Sequence, residues 1–208
     1  MKLLIATVAA LLATPLAAAT AVYSAAPATG GNQSYGGTLG LNFDSSAALR
    51  IVSLGAFDSG RDGITTNINV AIFNRDTGSI VSPVVNFLGT ANVAGTPYVS
   101  VAVTPFTLAA GHYQLGAWNY NGTDRNYNDG FSGVNPIGFN SLGGVLTALD
   151  ATYSTGAGNL ATIFDAGVTR YGAGTFSVAD VPEPATWGLM VAGFGLVGVL
   201  RRRATVLA

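Results

Sequence analysis

Seven residues, Asp124-Arg125-Asn126-Tyr127-Asn128-Asp129-Gly130, set oxygen-bearing side chains at alternate positions. Hard cations such as calcium collect roughly six to eight oxygens, and loops with this spacing supply several of them. The match to a D-x-N-x-N-G calcium loop is incomplete, because Gly130 comes one place late and no glutamate follows. Asp124, Asn126, Asn128 and Asp129 are therefore a weak calcium set, and ordinary Asx turns account for them better. Asp58 and Asp62, which flank a glycine turn, are weaker still. No other cofactor has a motif here.

The stretch from His112 to Tyr120 offers a second chemistry. Period-2 alternation puts Tyr113, Leu115 and Ala117 on one face, which we assign to the core. His112, Gln114, Trp118 and Tyr120 fall on the other. An exposed Trp118 and Tyr120 beside Asn119 and Asn121 would suit sugar recognition, since flat rings stack and amides bond hydroxyls. The plainer alternative, which composition favours, packs Trp118 under a loop or at the rim of a sheet.

Catalytic machinery is sparse. The chain has no cysteine, Lys2 is its only lysine, Glu183 its only glutamate and His112 its only histidine. A thiol nucleophile, a Schiff-base lysine and a metal site built on clustered histidines are excluded. A Ser-His-Asp triad would have to use His112, which stands where a strand begins and reads as an ordinary surface residue. A pair of aspartates for glycoside hydrolysis is the enzymatic alternative, yet most aspartates sit in turns. The expectation is a non-enzyme, with a secreted Asp-dependent hydrolase as the competing reading. Between the terminal segments, nine aspartates stand against Arg50, Arg61, Arg75, Arg125 and Arg170. This mildly acidic balance gives no footprint for nucleic acid. Without disulfides, stability must come from the core.

The elements that must position these residues read as strands. Candidates are Thr38–Phe43, Ala48–Leu54, Asn67–Phe73, Ile80–Leu88, Tyr98–Val103, His112–Trp118, Val145–Leu149, Leu160–Phe164 and Arg170–Val178. Clusters such as Asn74-Arg75-Asp76-Thr77-Gly78 carry turn chemistry between them. Short strands without an amphipathic helix predict an all-β fold, an antiparallel β-sandwich of jelly-roll type. Ile51–Asp58, Val70–Phe73 and Pro105–Tyr113 loosely resemble extracellular jelly-roll modules. That resemblance names no function. Residues 22–37, rich in Gly, Ala, Ser and Thr, read as a flexible lead-in to a sandwich over 38–180.

Both ends carry address signals. Lys2, the apolar Leu3–Leu12 and the small residues Ala17 to Ala21 make residues 1–21 a secretory signal peptide, with cleavage after Ala19 or Ala21. Residues 181–208 hold Pro182-Glu183-Pro184, an uncharged run from Trp187 to Leu200, then Arg201, Arg202 and Arg203. The prolines fix φ and remove two donors, so the segment stays extended and open to an enzyme. The apolar run, counted from Ala185, spans about 24 Å as a helix. That is short of a ~30 Å hydrocarbon core. Snorkelling arginines and local thinning make up the difference, and its glycines suit a transmembrane helix. The arginines stay on the cytoplasmic side.

This tail resembles the PEP-CTERM sorting tag of Gram-negative bacteria. The resemblance implies export through the Sec translocon, a transient inner-membrane anchor and processing by exosortase, a membrane protease-transferase. It further implies a cell-surface or extracellular-matrix destination and association with exopolysaccharide and biofilm. The combined expectation is a secreted, non-enzymatic matrix protein, with a carbohydrate-binding module as the first alternative.

Overall fold

Leu39, Leu41 and Phe43 alternate along one chain segment, and Tyr113, Leu115 and Ala117 along another. Antiparallel pairing sets them opposite one another: Leu39 faces Ala117, Leu41 faces Leu115 and Phe43 faces Tyr113. All six are buried. Repeating this pairing builds the fold. The computed structural model describes residues 19–26, 30–130 and 136–179. Among them the strands are β1 (Ala19–Ala21), β2 (Tyr23–Ser24), β3 (Thr38–Ser45), β4 (Leu49–Phe57), β5 (Asn69–Asn74), β6 (Val85–Asn86) and β7 (Tyr98–Leu108). They continue as β8 (Gly111–Trp118), β9 (Tyr127–Asn128), β10 (Gly138–Phe139), β11 (Leu146–Ser154), β12 (Ile163–Phe164), β13 (Tyr171–Gly172) and β14 (Gly174–Ala179).

One sheet runs β1-β14-β4-β7 and another β12-β11-β3-β8-β5-β6. Two small pairs, β10-β2 and β13-β9, complete the set. Every pairing is antiparallel, as the alternating pattern predicts. Both larger sheets feed one core. Phe43 of β3 and Phe176 of β14 lie 5.2 Å apart between ring centroids. At Gly174 an added Cβ would stand 3.2 Å from Leu115 Cδ2, so a small residue there lets the strand approach closely. Burying a Phe or Leu is worth about 1.5–3 kcal/mol each.

Tyr98–Val103 runs on to Leu108 as β7 and Val145–Leu149 to Ser154 as β11, and three other strands depart further from the sequence reading. Ile80–Leu88 forms the two-residue β6 at Val85 and Asn86 and an isolated bridge from Ile80 to Phe73, interrupted where Pro83 has no N–H to give a ladder. Leu160–Phe164 shortens to β12, since Ala161 is hydrogen-bonded to Gln114 instead. Arg170–Val178 divides at Ala173 into β13 and β14, which join different sheets.

The lead-in reading of residues 22–37 is corrected. Val22 and Tyr23 are each 1% exposed and belong to the core. Asn32 and Gln33 donate their backbone N–H groups to Asn126 O at 3.0 and 3.1 Å. Gly31 N donates to Ser59 Oγ at 2.8 Å, and a Cβ on Gly31 would fall 2.5 Å from Arg125 Cβ. The small residues serve close approach rather than freedom.

Residues 19–21, assigned by sequence to the end of the leader, form β1 along β14. Cleavage after Ala21 would remove this strand. Cleavage after Ala19 keeps Thr20 opposite Val178 and Ala21 opposite Ser177. The exported protein is therefore expected to begin at Thr20, which N-terminal sequencing reads directly. A start at Val22 would mean that β14 needs no cover on that side. The rest of the leader and the Trp187–Leu200 run lie outside the described residues. Among the described residues no helix is long and apolar enough to cross a membrane.

Candidate functional site

The six-stranded sheet has one face on the core and one turned away. The outward face begins with cross-strand pairs: Asn42 opposite Gln114 and Asp44 opposite His112. A register shift between Ala148 and Ala151 of β11 marks a bulge that carries Leu149 and Asp150. Bulges re-aim side chains, and this one lets Asp150 Oδ1 accept from Asn42 Nδ2 at 2.7 Å. The turn after β5 supplies the last wall. Asn74 Oδ1 accepts from the N–H groups of Asp76 and Thr77, a side-chain-capped turn. Arg75 N donates to His112 O at 3.0 Å and docks that turn on β8.

These elements enclose an open cleft of about 610 Å³. Asp44, Arg75, Asp76, His112 and Asp150 line it, with Leu149 and Leu160 as its apolar parts. Asp44 Oδ1 is the centre of a charged trio, taking His112 Nδ1 at 2.8 Å and Arg75 Nη1 at 3.4 Å. The floor is amide and hydroxyl. Gln114, 1% exposed, donates from Nε2 to Asn42 Oδ1, Thr152 Oγ1 and Ala161 O, and accepts from Ala161 N. Carboxylates that accept and a guanidinium that donates, held on a fixed floor, suit a hydroxyl-rich ligand.

His112 is drawn toward its charged form. The hydrogen bond to Asp44 raises its pKa first, then the charges of Asp44 and Asp76, while Arg75 opposes them. A folded pKa above the unfolded value favours the fold fully below 6.5, and the gain is lost as pH rises through the raised value. As the only histidine, its imidazole signal can be followed by NMR. Its midpoint is expected above 6.5 and is expected to fall when Asp44→Asn removes the partner. A midpoint unmoved by that change would separate His112 from Asp44 in solution.

The residues singled out by sequence go elsewhere. Trp118 is 7% exposed and meets Phe73 edge-on at 6.3 Å. It packs with Ala71, Phe73 and Leu160 beneath the 155–162 loop, where a Cβ added at Gly158 would stand 3.6 Å from its ring. Tyr120 is 2% exposed and sits in the main core. Its hydroxyl accepts from Phe57 N at 3.0 Å and donates to Ala173 O. The exposed Trp/Tyr face is thus corrected. A positive φ of 72° at Asn119 breaks the alternation and swings Tyr120 inward. Asn119 Nδ2 donates to Asn67 O, and Asn121 Oδ1 caps the next turn through Thr123 N and Asp124 N.

The four weak calcium candidates are buried and engaged in packing. Asp124 Oδ2 accepts from Thr65 N, Thr65 Oγ1 and Thr66 Oγ1. Asp129 accepts from Arg170 N and Ile137 N. Asn126 and Asn128 both donate to Gln33 Oε1, tying the N-terminal segment to this loop, while Asn126 Oδ1 is buried without a partner. Among the described residues no three His, Asp or Glu side chains are grouped to hold a metal.

Pro182, Glu183, Pro184, Arg201, Arg202 and Arg203 lie outside the described residues. Here comparison with known families decides. The PEP-CTERM protein-sorting motif matches residues 180–204. The chain is a PEP-CTERM protein. The motif makes it an exosortase substrate, exported with a C-terminal membrane-anchoring sorting signal. No curated protein and no solved structure matches the chain. The PEP-CTERM match covers the tail alone, and the cleft lies outside it. Sequence reasoning passed over that cleft because Asp44, Arg75 and Asp150 are far apart in the chain. Only cross-strand register and a bulge bring them together.

Proposed function

We propose that this PEP-CTERM protein is a non-enzymatic surface or extracellular-matrix component that associates with exopolysaccharide after exosortase removes its tail. The observation that carries this reading is the sorting motif at residues 180–204. Such a tag commits the chain to the envelope, and the sandwich-like body is what remains there. Passage through the Sec translocon and a transient stop in the inner membrane precede that step. The outward cleft supports contact with a polysaccharide through hydrogen bonds rather than through stacked rings. Asp44 is held by Arg75 and His112, and Asp150 by Asn42, so these carboxylates favour binding over acid-base work.

Cosedimentation of the exported, processed protein with purified exopolysaccharide tests the reading. The wild type is expected in the pellet, and Arg75→Ala with Asp150→Asn is expected in the supernatant. Equal pelleting of both would remove the cleft from the account. Failure of the wild type to pellet would overturn the exopolysaccharide association.

A further inference from the structure

A second, smaller cavity of about 200 Å³ lies away from the cleft. Gln33, Tyr35, Leu39, Tyr153, Asp165 and Tyr171 line it. Tyr35 and Tyr153 meet at 89° with centroids 5.9 Å apart, so the two rings make adjoining walls. Tyr171 Oη donates to Asp165 Oδ2 at 2.7 Å, and Gly167 N donates to Oδ1 at 3.1 Å. Those bonds fix the carboxylate but leave its charge uncompensated. Among the described residues both ion pairs belong to Asp44, and no Arg or His pairs with Asp165. Tyr35 Oη is buried and has no partner.

We propose that the Tyr35–Tyr153–Tyr171 pocket with Asp165 binds a compact alkylated ammonium group. Aromatic faces attract a cation through their quadrupole, most strongly when it is weakly hydrated. A carboxylate without a counter-ion adds attraction of the same sign. An anion is disfavoured by Asp165, and a neutral group gains only the apolar contact. Burial and the neighbouring Asp165 raise the Tyr171 pKa, so the phenol is neutral and keeps donating to the carboxylate. The cavity is too small for a polysaccharide chain, so this site is independent of the exopolysaccharide reading.

The test measures binding of choline to the exported, processed protein by calorimetry. Its neutral isostere, 3,3-dimethylbutan-1-ol, serves as the comparison. Choline is expected to bind about tenfold tighter than the isostere, the scale of a partly desolvated cation–π contact. Asp165→Asn keeps the shape and removes the charge. Tyr35→Leu keeps the charge and removes a wall. Each is expected to weaken choline binding about tenfold while the unfolding midpoint confirms a folded chain. Phosphatidylcholine vesicles, with phosphatidylglycerol vesicles as control, distinguish a lipid headgroup from a free solute. Equal affinity for choline and isostere overturns the proposal. So does undiminished binding by both variants, or no choline binding in the millimolar range.

Discussion

A chain carrying Glu183→Ala is expected to accumulate with its C-terminal peptide intact. Pro182 and Pro184 flank Glu183 and bring no backbone donor, which makes the one carboxylate between them the distinctive group for an enzyme to read. Removing it takes away recognition but keeps the apolar stop. Replacing Arg201, Arg202 and Arg203 with glutamate is expected to block processing by another route. It forfeits roughly 1 kcal/mol of attraction to anionic lipid per basic residue and loosens the orientation of the tail. Intact-mass spectrometry of envelope and medium separates the two failures, the first held in the membrane and the second not. Normal maturation of both variants would reduce the tail to a passive anchor.

Gln114→Leu is expected to destabilise the body by about 3–5 kcal/mol. Gln114 is the amide that bonds Asn42, Thr152 and both backbone groups of Ala161. Leucine would fill the volume and leave buried partners unpaired, at about 1–3 kcal/mol each. Against a total of about 5–15 kcal/mol this is a large share. Denaturant titration reads the shift. A second readout comes from Trp118, the only tryptophan left once Trp187 departs with the tag. Its emission is expected to move to the red, because Ala161 anchors the loop that covers the indole. A midpoint shift below about 1 kcal/mol, with unchanged emission, would show that the loop is held without Gln114.

The two halves of this protein were unequally readable. The tail was legible because its meaning lies in local order: prolines, an apolar run and arginines, one after another. The all-β body was legible because alternation is also local, and Tyr113, Leu115 and Ala117 fell inside as their spacing required. The outward face was not. Alternation put Trp118 and Tyr120 on the outward face, and only the plainer reading of Trp118, packed under a loop, holds: a loop 40 residues downstream covers it, while a single left-handed residue turns Tyr120 inward. The Asp44–His112 pair needed β3 and β8 in register, and the tyrosine pocket needed chain from residues 33, 153 and 171. Glycine and alanine in the N-terminal segment looked like slack because composition reports what a backbone can do. At Gly31 the same lack of a side chain is used to fit against Arg125.

The body hands over to the tag at Ala179, the end of β14. In a chain that begins at Thr20 that strand is still paired on both sides, with the rest of β1 at Ser177 and Val178 and with β4 over Gly174–Val178. A pull applied through the C-terminal side runs along the strand axis. Both ladders then resist in shear and must yield together, instead of parting one bond at a time like a zipper. Rupture under tension is governed by the unfolding barrier rather than by equilibrium stability. Were the processed chain fastened by this end, drag from flow or from a moving neighbour would meet these ladders in shear, even where the resting stability is ordinary.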